Sequence, residues 1–360
     1  MTRIVVLCDG TWNSPDTLEP THVVRMSRAF LSDPEQGQVV GYFPGIGTDR
    51  RYDGPVARFV NKWGGGAFGW GLDTKVKQAY EFIAKVYREG DEIYLLGFSR
   101  GAYTARSVAG MIRKCGIVAD TSPEGINRAY ALYRKAGPEN APDKEHIQRE
   151  RAAMSPGFAT SPQDLEARGA RASLVQIAFV GVWDTVGAKG IPSAVLGPVA
   201  ALWNRRYGFH DMALSRLVRR ARHAVALDEM RVFYRPALWD NLDDQAGKPG
   251  LNGGDVSATR PYQQLWFVGN HGIVGGSGGA RGLSAITMEW MLEGAPELAL
   301  REGSRLPRAV VDPLADAPGL GGRQGLFRRW RKGPSRERDV HPSVRQRLEG
   351  RAEYRPGSLR

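Results

Sequence analysis

The sequence has little cysteine and no long apolar run. Only Cys8 and Cys115 occur in 360 residues, so no disulfide framework is predicted, and the composition is typical of a protein made in a reducing cytosol. A membrane-spanning helix needs about 18 apolar residues, and the longest uncharged candidate, residues 190–204, is interrupted by prolines. The apolar run from Ile4 to Cys8 is too short for a signal peptide. The sequence therefore predicts cytoplasmic synthesis with no signal peptide or transmembrane segment.

Motifs for metals and nucleotides are also missing. None of the six histidines forms a pair at metal-ligand spacing, and the two cysteines stand alone, so no metal site is predicted. The glycine-rich segment 63–71 lacks the Gly-Lys-Ser/Thr ending of a phosphate-binding loop. The sequence therefore predicts chemistry that needs neither a metal nor an organic cofactor.

Positive charge is abundant but unevenly distributed. The formal net charge is +12, and residues 301–360 contain 15 Lys and Arg against 7 Asp and Glu, which is +8 of that total. The remaining chain is close to neutral for its size, which argues against nucleic acid as a partner. Residues 298–360 have few large apolar side chains, so we expect a basic, partly disordered tail that contacts anionic membranes peripherally.

The most informative stretch runs from Gly97 to Gly101, with Ser99 between the two glycines. Residues 91–96 before it are typical of a short buried strand, and residues 102–115 after it have apolar side chains at helical spacing. A sharp strand-to-helix turn of this kind exposes its serine, and the glycines allow close packing. We interpret it as a nucleophile elbow; the alternative is an ordinary glycine-bounded turn.

Two further residues fit a catalytic triad with Ser99. Asp184 follows the apolar run 174–182, at the end of a predicted central strand, where a triad acid belongs; the alternative is a turn or helix cap. His271 lies in a glycine-rich loop after the predicted strand 260–268. The chain order serine, aspartate, histidine is that of α/β-hydrolases, so His271 is the predicted general base.

The other elements alternate between strands and helices, which predicts a mostly parallel sheet with helices on both faces. A helix is predicted for residues 216–230, where His223 is expected to be packed rather than catalytic. The segment 121–171 is rich in proline and mixed charge and is interpreted as an insertion or lid. The remaining predicted elements are strands 4–7 and 38–43 and helices 21–31, 72–87 and 282–293.

An oxyanion hole needs two backbone amides near the serine. The amide of Arg100, directly after the nucleophile, is one candidate. The turn after the first strand contains Gly10 and Thr11, either of which is a candidate for the second. The alternative is that Asp9 and Asn13 only cap this turn.

Three features are candidates for substrate contact. The Arg100 side chain is placed to meet a phosphate or carboxylate, or to form a salt bridge that braces the elbow. Trp12 lies in the turn after the first strand. The uncharged loop 190–204, followed by two arginines, is either an acyl-chain contact or a buried loop.

Several ordered motifs together resemble one family, an α/β-hydrolase-like domain that includes the class-one phospholipase effectors of bacterial type VI secretion. The resemblance implies a Ser99, Asp184 and His271 triad that acts on carboxylic esters of phospholipids. It also implies a catalytic domain over residues 1–297 and export by a signal-independent system. The matching stretches are residues 8–13, 42–48, 90–110, 181–188, 223–231 and 266–276.

One position departs from the family. Members commonly read His-Ser-Asp-Val-Gly-Gly, whereas this chain has Ile273 in place of the acidic residue. Activity is expected to be weak or altered if that carboxylate orients the loop or binds an ion. The sequence thus predicts a serine hydrolase of small-molecule or lipid esters that works through an acyl-enzyme. The alternative is a weakly active or inactive hydrolase-fold module that binds anionic partners through its basic tail.

Overall fold

The computed structural model contains a six-stranded sheet in which every strand pair is parallel, with the order β2-β1-β3-β6-β7-β8. A separate pair, β4 and β5, is also parallel. The strands are β1 (Arg3–Cys8), β2 (Gln38–Phe43), β3 (Glu92–Phe98), β4 (Phe158–Ala159), β5 (Ser173–Leu174), β6 (Ile177–Trp183), β7 (Val218–Ala226) and β8 (Tyr262–Phe267). The structure describes residues 1–10, 19–45, 67–186, 213–232, 234–304, 306, 311–317, 320, 325 and 328–359.

Both faces of the sheet are buried. In β1, Ile4, Val6 and Cys8 belong to one apolar core, and Val5 and Leu7 belong to the other. This alternation follows from the two-residue period of a strand. A strand that feeds two cores needs apolar side chains at every position, which explains the continuous apolar runs in the sequence.

Helices cover the two faces. Helices α2 (Ala67–Val86) and α3 (Arg100–Cys115) pack against one face, and α1 (His22–Ala29) and α8 (Arg281–Glu293) pack against the other. The prediction of an α/β fold with a mostly parallel sheet and helices on both faces is confirmed. None of the helices described here is long and apolar enough to span a bilayer. They are α1 (His22–Ala29), α2 (Ala67–Val86), α3 (Arg100–Cys115), α4 (Pro123–Arg134), α5 (Glu145–Met154), α6 (Pro162–Arg168), α7 (His271–Gly275), α8 (Arg281–Glu293) and α9 (Pro342–Gly350).

The strand order places a crevice at one edge of the sheet. The chain moves from β1 outward to β2, and β3 then lies on the other side of β1. In open parallel sheets, ligands bind outside the carboxyl ends of the strands at such a reversal. Ser99 directly follows β3, and Asp9 directly follows β1. The crevice therefore opens beside Ser99.

The segment 121–171, interpreted above as an insertion or lid, hydrogen-bonds to the carboxyl end of α3. These hydrogen bonds involve Arg113, Lys114 and Cys115. Because α3 has 16 residues, that end lies about 24 Å from Ser99. The interpretation of this segment as an insertion or lid stays a prediction.

The predicted helix 216–230 is wrong, because residues 218–226 form β7 between β6 and β8. Val218, Ala221 and Val225 are spaced three and four apart, which imitates a helical face. From His223 to Ala226 every residue of β7 is buried, so the apolar spacing there carries no information about its period. His223 is fully buried, and its Nε2 accepts the Thr185 amide at 3.2 Å, so the prediction that it is packed agrees with the structure.

The expected partial disorder of the basic tail does not hold for residues 328–359, which we call the C-terminal strap. The His341 amide donates to the Trp266 carbonyl at 3.0 Å, next to β8. Val344 and Tyr354 are buried in the core that also contains α1 and α8. The few apolar residues of the strap are thus sufficient for docking, because the body supplies the rest of the apolar surface.

Candidate active site

Ser99 lies on a strained turn between β3 and α3. Its φ is +58° and its ψ is −118°, a conformation that residues with a side chain rarely adopt. A Cβ added to Gly97 would lie 2.5 Å from the Gly101 carbonyl oxygen, and one added to Gly101 would lie 2.1 Å from the Cys8 carbonyl oxygen. Both glycines are therefore required by the close approach of backbone to backbone, including the end of β1.

The three predicted catalytic side chains are brought together. The Ser99 Oγ lies 2.8 Å from His271 Nε2, and His271 Nδ1 lies 2.6 Å from Asp184 Oδ2. Asp184 follows β6 directly with a φ of +38°, and His271 is the first residue of α7. An ionised carboxylate only accepts hydrogen bonds, so we assign the imidazole proton to Nδ1 and leave Nε2 as an acceptor for the serine hydroxyl.

The imidazole is held between aromatic rings and is largely shielded from solvent. The ring centroids of Phe98 and Tyr234 lie 4.6 Å and 4.7 Å from that of His271. Ser99 is 5% exposed, His271 6% and Asp184 0%. Hydrogen bonds in such a site are strengthened by the low local polarity.

Burial and charge set the protonation of this group. Burial opposes ionisation of Asp184, but the Arg331 guanidinium and the His271 hydrogen bond outweigh it and hold the pKa of that carboxyl well below its ordinary value. Burial lowers the pKa of His271, although the Asp184 hydrogen bond and charge act in the opposite direction. A neutral imidazole beside an ionised aspartate results, which is the state required of a general base.

The loop that carries His271 is fixed by a buried glutamate. Glu229 Oε2 accepts the His271 amide at 3.2 Å, and Arg231 Nη2 pairs with the same oxygen at 2.7 Å. The Asn270 side chain accepts the Ile273 amide at 3.1 Å and so caps α7. Ile273 itself is 1% exposed and occupies apolar space. In this chain the acidic support for the loop thus comes from Glu229.

A further residue, Arg331 of the C-terminal strap, contacts Asp184 directly. Its Nη1 lies 2.6 Å from Asp184 Oδ1 and its Nη2 lies 2.8 Å from Asp184 Oδ2. The Ala226 amide also donates to Oδ1, at 3.0 Å. Asp184 is therefore held by donors from β7, α7 and the strap.

The predicted oxyanion residues are only partly described. Gly10 follows Asp9, whose carbonyl approaches Gly101, so it lies beside the elbow. Its amide donates to Asp9 Oδ1 at 2.7 Å. The Asp9 carboxylate also accepts the Thr21 hydroxyl at 3.0 Å. Thr11, Trp12 and the loop 190–204 lie outside the described residues.

Arg100 begins α3, and its side chain is close to the crevice. It lines a narrow cleft together with Asp9, Pro44 and Lys75. Burial lowers the pKa of its guanidinium to about 10. The cleft thus contains two cationic side chains, Arg100 and Lys75, and the carboxylate of Asp9.

Reasoning from sequence missed Glu229, Tyr234 and Arg331. Glu229 falls within the matching stretch 223–231, but nothing in the sequence assigns it a role. Arg331 lies among Arg329, Trp330 and Lys332, and nothing in that basic run distinguishes it. Only its contact with Asp184 does so.

These features define an α/β protein with a hydrogen-bonded serine, histidine and aspartate at the carboxyl ends of its parallel strands. The chain belongs to the family described as the catalytic domain of Tle1-like phospholipase effectors of type VI secretion, whose model matches residues 2–294. The family resemblance inferred from the sequence is confirmed.

Individual relatives are more distant. An uncharacterized protein of Saccharomyces cerevisiae is 28% identical over 235 residues, which are 63% of this chain and 31% of that protein. A crystal structure of an uncharacterized protein from Pseudomonas aeruginosa has a TM-score of 0.42 at 17% identity, covering 86% of this chain and 49% of the other. A Tle1 effector bound to the VgrG spike of the type VI secretion system has a TM-score of 0.37 at 15% identity, covering 77% and 51%. The chain thus spans about half of these two structures and a third or less of the yeast protein.

Proposed function

We propose that this chain is a serine hydrolase of the α/β-hydrolase type, which cleaves carboxylic esters of lipids through a covalent acyl-enzyme. The observation that carries the proposal is the continuous hydrogen-bonded series from Ser99 Oγ to His271 Nε2, at 2.8 Å, and from His271 Nδ1 to Asp184 Oδ2, at 2.6 Å. The strained conformation of Ser99 supports it, because such strain concentrates at functional sites.

In the proposed reaction, Ser99 Oγ attacks the ester carbonyl carbon while His271 Nε2 takes the hydroxyl proton. Asp184 keeps the imidazole in the required tautomer and stabilises the imidazolium that forms. The tetrahedral intermediate collapses when His271 returns the proton to the leaving alcohol, so that the acyl group remains on Ser99. A water molecule, activated by the same imidazole, then releases the acid and restores the serine.

The developing oxyanion needs two donors. We assign the first to the Arg100 amide at the start of α3, where the helix dipole also favours negative charge. The second comes from the turn after β1, where Gly10 and Thr11 stay the candidates. For Gly10 to take part, its amide would have to exchange Asp9 Oδ1 for the oxyanion.

The substrate class rests on the family, whose description names phospholipase effectors. In this proposal the cationic side chains of Arg100 and Lys75, which lie in a cleft with Asp9, are the candidate partners of a headgroup phosphate. We also propose export through a secretion system that reads no signal peptide, as for the effectors that name the family. Peripheral membrane contact then involves exposed basic residues on the folded strap.

The first test is labelling with a fluorophosphonate probe. We expect the unaltered protein to be labelled and to hydrolyse esters, and we expect Ser99→Ala and His271→Ala to lose both properties. Ser107→Ala is the matched control, because Ser107 is a buried serine on the helix that follows Ser99 and is not among the hydrogen-bond partners that the structure describes for His271. An unlabelled, inactive parent protein with an intact fold would overturn the proposal in favour of a binding module.

The second test separates lipid hydrolysis from general esterase activity. Turnover is compared for a short-chain ester, a long-chain ester and vesicles of phosphatidylglycerol with phosphatidylethanolamine. A lipid hydrolase releases fatty acid from the vesicles. Turnover of short-chain esters alone would support the proposed serine hydrolase and would contradict the proposed lipid substrate.

A further inference from the structure

The C-terminal strap reaches the candidate site from outside the family domain. The family model ends at residue 294, 37 positions before Arg331. Just before Arg331, the Arg329 amide donates to the Met230 carbonyl at 2.7 Å, which ties the strap to the chain after β7. Further along, the Tyr354 hydroxyl donates to Asp228 Oδ2 at 2.9 Å, and Ser358 Oγ donates to the Leu227 carbonyl at 2.9 Å. The strap is thus anchored on both sides of Arg331.

Arg331 meets Asp184 through a two-point contact. Nη1 and Nη2 each donate to a different carboxylate oxygen, at 2.6 Å and 2.8 Å. The same nitrogens donate to the Ala226 carbonyl, at 3.0 Å, and to the Tyr234 carbonyl. Arg331 is 8% exposed and Asp184 is fully buried, so the pair is desolvated and geometrically fixed. This contact leaves the carboxylate little freedom to rotate away from His271.

We propose that Arg331 is a positioning residue for the reaction proposed above, which it serves by orienting the Asp184 carboxylate toward His271. The inference rests on the proposed function. It implies that residues 2–294, the extent of the family domain, do not complete the site in this chain, and that strap docking does. Arg331 acts through Asp184 and does not touch Ser99 or His271 in the described hydrogen bonds.

The charge of Arg331 has a second effect, on the imidazole. His271 faces Asp184 after β6, Glu229 with Arg231 after β7, and Arg331 from the strap. Of these, Asp184 and Glu229 favour the imidazolium, whereas Arg331 opposes it. Removing the Arg331 charge is therefore expected to raise the pKa of His271 and to move the acidic limb of kcat/KM to higher pH.

The competing explanation is that Arg331 only anchors the strap. Arg347 provides a matched control, because it is also a buried strap arginine, at 4% exposure, and donates to the Pro313 and Ala315 carbonyls. Arg347→Ala should lower the melting temperature while leaving the pH profile unchanged. A positioning role and an anchoring role thus predict different results for two similar substitutions.

The experiment compares Arg331→Met, Arg331→Lys and Arg347→Ala on one soluble ester across the pH range, below the melting temperature of each variant. For Arg331→Met we expect kcat to fall by about 10- to 100-fold, with a much smaller change in KM and an acidic limb at higher pH. Arg331→Lys keeps the charge but loses the two-point contact, so its acidic limb should stay near that of the parent while kcat falls. Equal effects in Arg331→Met and Arg347→Ala, or an unchanged Arg331→Met, would overturn the proposal.

Chemical rescue adds a readout that an anchoring role would not give. Arg331 lines a cavity of about 850 Å³ together with Trp239, Trp266 and Trp330. In Arg331→Ala, guanidinium can reach Asp184 through this cavity, so millimolar guanidinium chloride should restore part of the lost kcat. Methylammonium, which cannot donate in the same planar geometry, should restore less. Failure of guanidinium to rescue a folded Arg331→Ala would count against positioning.

One measurement keeps this proposal separate from the proposed function. The pKa of His271 is followed by NMR in the parent and in Arg331→Met, both carrying Ser99→Ala. A higher pKa in the variant supports the electrostatic role whether or not the parent hydrolyses esters. An unlabelled parent would defeat the proposed function, whereas an unchanged His271 titration would defeat the role of Arg331.

Discussion

At the scale of single residues, two buried aspartates behave in opposite ways. Asp184 is paired with Arg331 and stays ionised despite its burial. Among the residues that the structure describes, Asp228 accepts hydrogen bonds from neutral donors only, the Gly269 amide at 2.7 Å and the Tyr354 hydroxyl at 2.9 Å, and burial raises its pKa to about 6. A charged partner thus determines whether a carboxyl group at this end of the sheet keeps its charge.

A pH-dependent stability difference follows for Asp228. Its pKa is higher in the folded protein than the ordinary value of 3.8, so the folded state binds the proton more tightly between pH 3.8 and about 6. The contribution of this group to stability is therefore full in acid and is lost as the pH rises through that window. The Asp228→Asn variant does not lose stability in this way, because an amide side chain does not titrate. The free energy of unfolding of the parent minus that of Asp228→Asn should decrease from pH 4 to pH 7, as measured by urea unfolding.

Asp243 is a control for which stability is expected to change with pH in the opposite direction. Its burial is outweighed by the Asn252 hydrogen bond and by Arg336, which lower its pKa. The corresponding difference for Asp243→Asn should increase with pH. A flat or rising difference for Asp228→Asn would contradict the assignment of a raised pKa.

At the scale of elements, the elbow depends on contact with its neighbouring strand. The carbonyls of Cys8 and Asp9 occupy the space that a Cβ on Gly101 would need, at 2.1 Å and 2.6 Å. The contacting atoms belong to the backbone, so they cannot move aside as a flexible side chain would. The same contact brings the turn after β1, with its candidate oxyanion amides, next to Ser99.

Gly101→Ala should therefore impair activity more than stability. The overpacking is expected to cost about 1–3 kcal/mol, and the shift of the elbow should slow fluorophosphonate labelling of Ser99 well beyond what the loss of folded protein explains. Thermal unfolding and labelling rates measure the two effects. Gly157→Ala is the control, because a Cβ there meets no atom within 4 Å. Equal labelling rates for the two variants would show that the elbow tolerates the added methyl group.

At the scale of the whole molecule, the basic strap is a structural part of the body. Its buried residues Val344 and Tyr354 join the core on the α1 and α8 side of the sheet, and Arg331 pairs with Asp184. Removing one partner of a buried ion pair leaves an uncompensated charge and costs about 3–5 kcal/mol. The strap and the sheet are therefore expected to unfold together.

Truncation after Glu297 tests this dependence. The shortened chain should have a lower melting temperature and should lose ester turnover together with binding to anionic vesicles. Exposed strap arginines offer the matched control, because Arg338→Gln with Arg345→Gln removes charge and leaves the buried strap contacts in place. That double variant should bind vesicles more weakly with turnover unchanged. Full turnover in the truncated chain would show that the strap is an accessory.

Local patterns in the sequence were sufficient for much of the fold and for the candidate residues. The strand 38–43 agrees with β2, and the spacing around Ser99 identified the turn between β3 and α3. These features are encoded by neighbours in the chain, since a turn needs particular backbone freedom and a strand has a two-residue period. Patterning failed for residues 216–230, because β7 is buried at every position from His223 to Ala226 and shows no strand period there.

What the sequence by itself determined is the order of elements outside residues 216–230, the serine turn and the identity of three candidate residues, because each of these depends on a few adjacent positions. The tertiary structure alone decided that the strap docks, that Glu229 supports the His271 loop and that Arg331 meets Asp184. Arg331 and Asp184 are 147 positions apart in the chain. A contact over that separation leaves no local periodicity or spacing, because it is created only when the sheet and the strap have folded against each other.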